Sequence, residues 1–135
     1  MTAIAFLKVY AVALAVFLAM DLAWLGWIAK GFYQEQLGHL MRPDVRVGAA
    51  VLFYLIYVVA VVVLVVAPAI EQQSVGRAVA LGALFGLAAY AAFDLTSLAL
   101  LRDFPVKVVV VDLAWGVVLT ATVGAAAAWA GMRWA

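Results

Sequence analysis

Long apolar runs alternate with short polar joints along this chain. Apolar residues dominate positions 4–29, 47–70, 78–101 and 107–131. Lys8 and Asp21 interrupt the first run, nothing charged interrupts the second, Asp94 interrupts the third, and Asp112 follows Lys107 in the fourth. Each run exceeds the ~20 residues a helix needs to cross a hydrocarbon core of about 30 Å. A backbone in lipid must satisfy its own hydrogen bonds, so helices or a closed barrel are the choices. The runs lack strict alternation and therefore predict helices. The expected fold is all-α. It is an integral membrane four-helix bundle, one domain over residues 1–135, with a short interfacial helix in the first loop. The first run reads as a retained span rather than a signal peptide, because no basic segment precedes Lys8 and the apolar stretch is too long.

The joints carry helix punctuation. Asp44, after Pro43, is a candidate N-cap for the second span. Pro68 lies near that span's end, and Ser74 and Gly76 occupy the turn before the third. Asp103 is a candidate cap for the fourth, with Pro105 tolerated in its first turn. The first loop, Lys30 to Arg46, is the long one. Phe32, Tyr33, Leu37, Leu40 and Met41 share one face of a short helix there, and Gln34, Glu35 and His39 turn the other way. That pattern fits a helix lying on the membrane surface. Lys30, Arg42, Arg46, Arg102 and Lys107 fall on one side of the spans, and Lys8, Arg77 and Arg133 on the other. The excess of basic residues places the first and third loops in the cytoplasm and both termini outside.

Composition sharpens the class. The hydrophobic fraction is 71% and the charged fraction 11% over 135 residues, against roughly 45–50% apolar in soluble domains. Mean hydropathy is +1.23. A chain this small leaves much of its surface exposed, so a soluble enzyme, a disordered chain and a nucleic-acid binder are excluded. The expected partner is membrane lipid, not nucleic acid. The net charge of +1 gives no strong electrostatic partner signal. Cysteine is absent and there is one histidine, which argues against a tight transition-metal site. No phosphate-binding glycine loop, His-rich cluster or nucleophilic triad is visible, and no cofactor is expected. The Ala- and Val-rich composition suggests a bacterial source.

Three aspartates lie inside the spans: Asp21, Asp94 and Asp112. An ionised Asp at a span centre costs about 2.5–3.5 kcal/mol on insertion scales, so each requires an explanation. Counted from the basic residues of the first and third loops, the three stand about 13, 12 and 8 Å into the same face at 1.5 Å per residue. Antiparallel neighbours thus bring all three to one level, and lipid favours turning them inward. Trp24 and Trp115 each follow an Asp by three residues, which puts them on its helix face. Each indole is placed to donate to its own helix's carboxylate or to a neighbour's. Thr96 and Ser97 lie just beyond Asp94, and Tyr54 and Tyr57 enter from the second span. The candidate ligand-binding set is therefore Asp21, Trp24, Tyr54, Asp94, Thr96, Ser97, Asp112 and Trp115, with His39 at the pocket mouth. The plainer alternative treats these contacts as polar glue between helices, worth about 0.6 kcal/mol each.

The string Asp-Leu-Ala-Trp occurs twice, at Asp21–Trp24 and Asp112–Trp115. Both copies fall in one leaflet, so they are not the signature of an inverted transporter repeat. Spans one and three share a weaker likeness, Asp-Leu followed by a basic residue and Phe, which hints at two parallel hairpins. Gly82-x-x-x-Gly86, and Gly124 with Ala128, carry small residues at a spacing that lets helices approach, within the bundle or across a dimer.

These motifs resemble the domain of unknown function 2177 family of small bacterial predicted membrane proteins. The resemblance rests on Asp21-Leu22-Ala23-Trp24-Leu25-Gly26, Phe32-Tyr33, Leu37-Gly38-His39-Leu40-Met41, Phe53-Tyr54, Gly82 to Gly86, Tyr90, Asp94-Leu95-Thr96 and Asp112-Leu113-Ala114-Trp115-Gly116. It runs over nearly the whole length. Family members often carry Asn after the Asp-Leu-Thr triplet, where this chain has Ser97. The resemblance implies a four-span inner-membrane protein and supplies no activity.

The leading functional reading is an acidic, aromatic-walled pocket that binds or transports a small amphipathic or cationic ligand, or protons. One alternative is a lipid-modifying enzyme with an Asp as general acid or base, assisted by His39. Another is an accessory subunit of a larger membrane complex or a homo-oligomer, with a structural Asp layer. No catalytic signature favours the enzyme.

Overall fold

The computed structural model describes residues 1–134. Four helices are long and apolar enough to cross a membrane: α1 (Ala3–Ile28), α3 (Val47–Glu71), α4 (Val75–Leu100) and α5 (Val106–Trp134). A short helix, α2 (Lys30–Leu37), follows α1, and a 3-10 turn at Gly38–Leu40 ends it. No strand is present among the described residues. The all-α membrane architecture expected from the apolar runs is the one observed.

The helix starts follow local chemistry. The Thr2 hydroxyl accepts from the Ala5 N–H at 3.1 Å, and the Ser74 hydroxyl from the Arg77 N–H at 3.0 Å. Ser74 thus starts α4 at Val75, three residues before the expected boundary of 78. Neither of these caps was expected, and the two that were expected, Asp44 and Asp103, fail. Arg46, not Asp44, occupies the cap position of α3 and makes no side-chain bond there. An N-cap must sit next to the first helical turn to reach its free N–H groups, and Asp44 is too early. It pairs instead with exposed Arg42 at 3.7 Å. Asp103 takes a left-handed conformation, φ 57°, inside the turn before α5 rather than capping it.

Two helices contain a π turn. In α3 it spans Val62–Val66, just ahead of Pro68. Proline lacks an N–H and its ring crowds the carbonyl four residues back, so the widened turn accommodates it. In α1 the π turn spans Trp24–Ile28 and closes with the Ala29 N–H on the Trp24 carbonyl at 2.7 Å.

Helix α5 is the hub of the bundle, packing on α4 most extensively and also on α1 and the second half of α3. The α4–α5 seam is close because glycine lines it. A Cβ on Gly82 would stand 2.7 Å from the Thr120 carbonyl oxygen, and one on Gly86 would be 2.8 Å from Thr120 Oγ1. The Gly82/Gly86 motif therefore serves the internal bundle. The core beside it is fully buried: Phe17 of α1, Val58, Val61 and Val65 of α3, and Leu119 and Val123 of α5.

One asymmetry shapes the site. The second half of α3, from Val62 onward, packs against α4, whereas its first half, Val47–Val61, packs on α1. At the first-loop end of the bundle, α3 and α4 therefore diverge.

Candidate functional site

The divergence of α3 and α4 leaves a cavity of about 430 Å³ at the level of the aspartates. Asp21 and Leu25 of α1 and Asp112 and Trp115 of α5 form its back. Phe53, Tyr54 and Tyr57 of α3 face Tyr90 and Phe93 of α4 across it. No lysine, arginine or histidine lines it. Phe53 and Phe93 are 47% and 58% exposed at the rim, so the cavity opens sideways between α3 and α4. Beyond Tyr57, towards the far end, the core is packed solid. Its volume lies in the range typical of small-molecule sites.

The two Asp-Leu-Ala-Trp copies interlock. The Trp115 indole N–H donates to Asp21 Oδ1 at 3.0 Å, and the Tyr54 hydroxyl donates to Asp21 Oδ2 at 2.9 Å. In the other direction, the Trp24 indole donates to the Tyr33 hydroxyl at 3.2 Å, which donates to Asp112 Oδ1 at 2.8 Å. Each tryptophan thus reaches the other motif's carboxylate, one directly and one through Tyr33. The two indoles stack face to face, centroids 4.5 Å apart and planes 8° apart. Both oxygens of Asp21 are engaged, which fixes the carboxyl in place.

Asp94 is fully buried, and neither of its oxygens meets a donor. Asp112 is its carboxyl neighbour in this layer. Two carboxylates offer each other no donor, and side by side they repel in a desolvated layer. One proton shared by the pair would relieve that repulsion and give one Asp94 oxygen a partner, while the other still meets no donor.

Helix α2 locks onto this layer from outside the spans. Tyr33 is buried with Ala29, Phe104, Val108 and Val109 in a second apolar cluster, against which Phe32 and Leu37 pack. Leu40 and Met41, expected on the same face, are exposed, because the helix ends at Leu37 and the chain turns away. Burial away from water pushes the Tyr33 hydroxyl above the usual tyrosine range, so it remains a donor.

Four of the expected site residues line the cavity: Asp21, Tyr54, Asp112 and Trp115. Asp94 and Trp24 belong to the same polar layer but stand behind that lining. Thr96 does not join the site. It is exposed, and its hydroxyl bonds back to the Ala92 and Phe93 carbonyls of its own helix, a local alternative always open to a helical threonine. Ser97 is buried but lies off the cavity lining. His39 is not at the mouth: Nε2 lies 3.0 Å from the Asp103 carbonyl oxygen, tying the first loop to the third. Tyr33, Phe53, Tyr90 and Phe93 were not among the expected site residues. Tyr90 was recoverable, since it precedes Asp94 by one helical turn. Tyr33 was not, because the bend at Ala29 decides where α2 points.

Four helices of membrane-spanning length and apolarity define a multi-pass membrane protein. Residues 6–129 match the family described as "Predicted membrane protein (DUF2177)", and the chain belongs to that family. No curated protein and no solved structure matches it.

Proposed function

We propose that the protein binds a small amphipathic cation, which enters its cavity sideways from the leaflet on the first-loop side. The observation that carries this reading is the cavity's lining: two carboxyls, five aromatic rings besides Trp115, and no basic side chain. Carboxylates in such a setting attract positive charge, and aromatic faces add cation–π attraction. The lateral opening between α3 and α4 suits a ligand whose tail stays in lipid while its head turns inward. The solid core beyond Tyr57 favours binding over a two-sided passage. His39, which would assist an Asp in a lipid-modifying enzyme, is held at the Asp103 carbonyl and is absent from the cavity lining. In this reading the protein resides in a bacterial inner membrane with its first and third loops cytoplasmic, the side holding Lys30, Arg42, Arg46, Arg102 and Lys107, as the positive-inside rule directs.

Native mass spectrometry with lipid analysis tests this on protein extracted from its own membrane, as wild type and Asp21→Asn. A defined cationic amphiphile that copurifies with wild type and is depleted in the variant is expected. A folded wild-type protein that carries no cationic molecule, or carries it equally after the substitution, contradicts the reading.

A further inference from the structure

Part of the cavity's hydrogen-bonding capacity is already used inside the protein. Asp21 accepts from Tyr54 and Trp115 with its two oxygens. Asp112 accepts from Tyr33 with Oδ1 and has Asp94 beside it. The Tyr57 hydroxyl pairs with Thr120 Oγ1 at 2.8 Å. What faces the cavity is two carboxyls held in place by these bonds and a wall of rings. A primary ammonium brings three N–H donors, each of which needs an acceptor when it leaves water. A quaternary ammonium brings the same charge with no donor, and aromatic faces are its characteristic recognition surface.

Resting on the binding reading above, we infer that the cavity selects a quaternary ammonium head over a primary one. The rings of Phe53, Tyr57, Tyr90 and Phe93 close round the head. Tyr57 is held at 5.3 Å from both Phe53 and Phe85 by stacking, and 6.3 Å edge-on from Tyr90. Asp21 and Asp112 supply the counter-charge behind it. The exposed rim rings, Phe53 and Phe93, are where head meets tail.

The test uses the full chain in maltoside micelles, with Trp fluorescence and native mass spectrometry as readouts. The probes are hexyltrimethylammonium, hexylammonium and hexyl sulfate. The trimethylammonium probe is expected to bind about tenfold more tightly than the primary amine, within the range that cation–π contacts supply. Hexyl sulfate is expected not to bind. Phe93→Leu, which changes an exposed rim side chain and leaves the backbone carbonyl bonded by Thr96 in place, is expected to narrow the preference several-fold with the fold intact. Equal or tighter binding of hexylammonium overturns the selectivity and leaves the broader cation reading standing. Binding of neither cation, or of the sulfate as well as the cations, overturns both.

Discussion

Trp115 donates its indole N–H to Asp21 on α1, not to Asp112 three residues before it on its own helix. This exchange joins α1 to α5 at the level where both helices carry a carboxyl. Trp115→Phe keeps the stack on Trp24 and removes the donor. The expected cost is about 1–2 kcal/mol in detergent unfolding, the penalty for a buried acceptor that loses one of its partners. Trp24→Phe leaves the Tyr33–Asp112 bond in place and is expected to cost less. Equal effects from the two substitutions would contradict the assignment of Asp21 as the dependent partner.

Tyr33 is the tether of α2. Tyr33→Phe deletes the bond to Asp112 but keeps the ring in its apolar cluster. Hydrogen exchange over Lys30–Leu37 is expected to quicken, while the four long helices keep their protection. Uniform loss of protection throughout the chain would show that the contact supports the whole bundle instead.

The same hydroxyl sets a pH dependence. Its proton affinity is raised by burial foremost and by the neighbouring Asp112, with the Trp24 N–H opposing. A raised native value means that the tether's contribution is complete below the ordinary tyrosine range and is lost only as pH climbs through the higher native value. Comparison of wild type with Tyr33→Phe by tyrosinate absorbance, between about pH 9 and 11, is expected to show no signal from Tyr33. A tyrosinate signal of ordinary midpoint assigned to Tyr33 by that difference would place it in water.

The α4–α5 seam gives a packing prediction. A Cβ on Gly82 would strike backbone, with Thr120 O at 2.7 Å and the Ala121 Cα at 2.9 Å. Neither can yield without moving a helix. Gly82→Ala is expected to destabilise by about 1–3 kcal/mol, the usual cost of overpacking. Gly48→Ala, where nothing lies within 4 Å, is the control and is expected to be neutral. Equal stability of the two variants would mean that the seam is looser than described.

Much of this was legible before any coordinates. Helix rise is constant, so the depth of Asp21, Asp94 and Asp112 followed from counting residues, and the polar layer at one level is the result. Azimuth was not legible, because it depends on how each helix is rotated against its neighbours. That is why Asp94 lies behind the cavity wall and Trp115 crosses to Asp21. Thr96 was misread because its local bonds to its own helix compete with any tertiary role. Asp44 and Asp103 were misread as caps because the exact first turn of a helix is set by packing as much as by the nearest polar residue. The cavity itself depends on α3 leaning away from α4, a tertiary feature with no sequence signature of its own.

The central claim is that a cationic amphiphile sits between α3 and α4 against Asp21 and Asp112. Photocrosslinking tests it most directly, with an alkyltrimethylammonium probe carrying a diazirine next to its head, followed by peptide mapping. Adducts are expected on both walls, around Phe53–Tyr57 of α3 and Tyr90–Phe93 of α4. They should be competed away by unlabelled probe and lost in Asp21→Asn/Asp112→Asn. Adducts confined to the shallow apolar grooves at Ile56–Leu64 of α3 or Val110–Val118 of α5, unchanged in that variant, would contradict it.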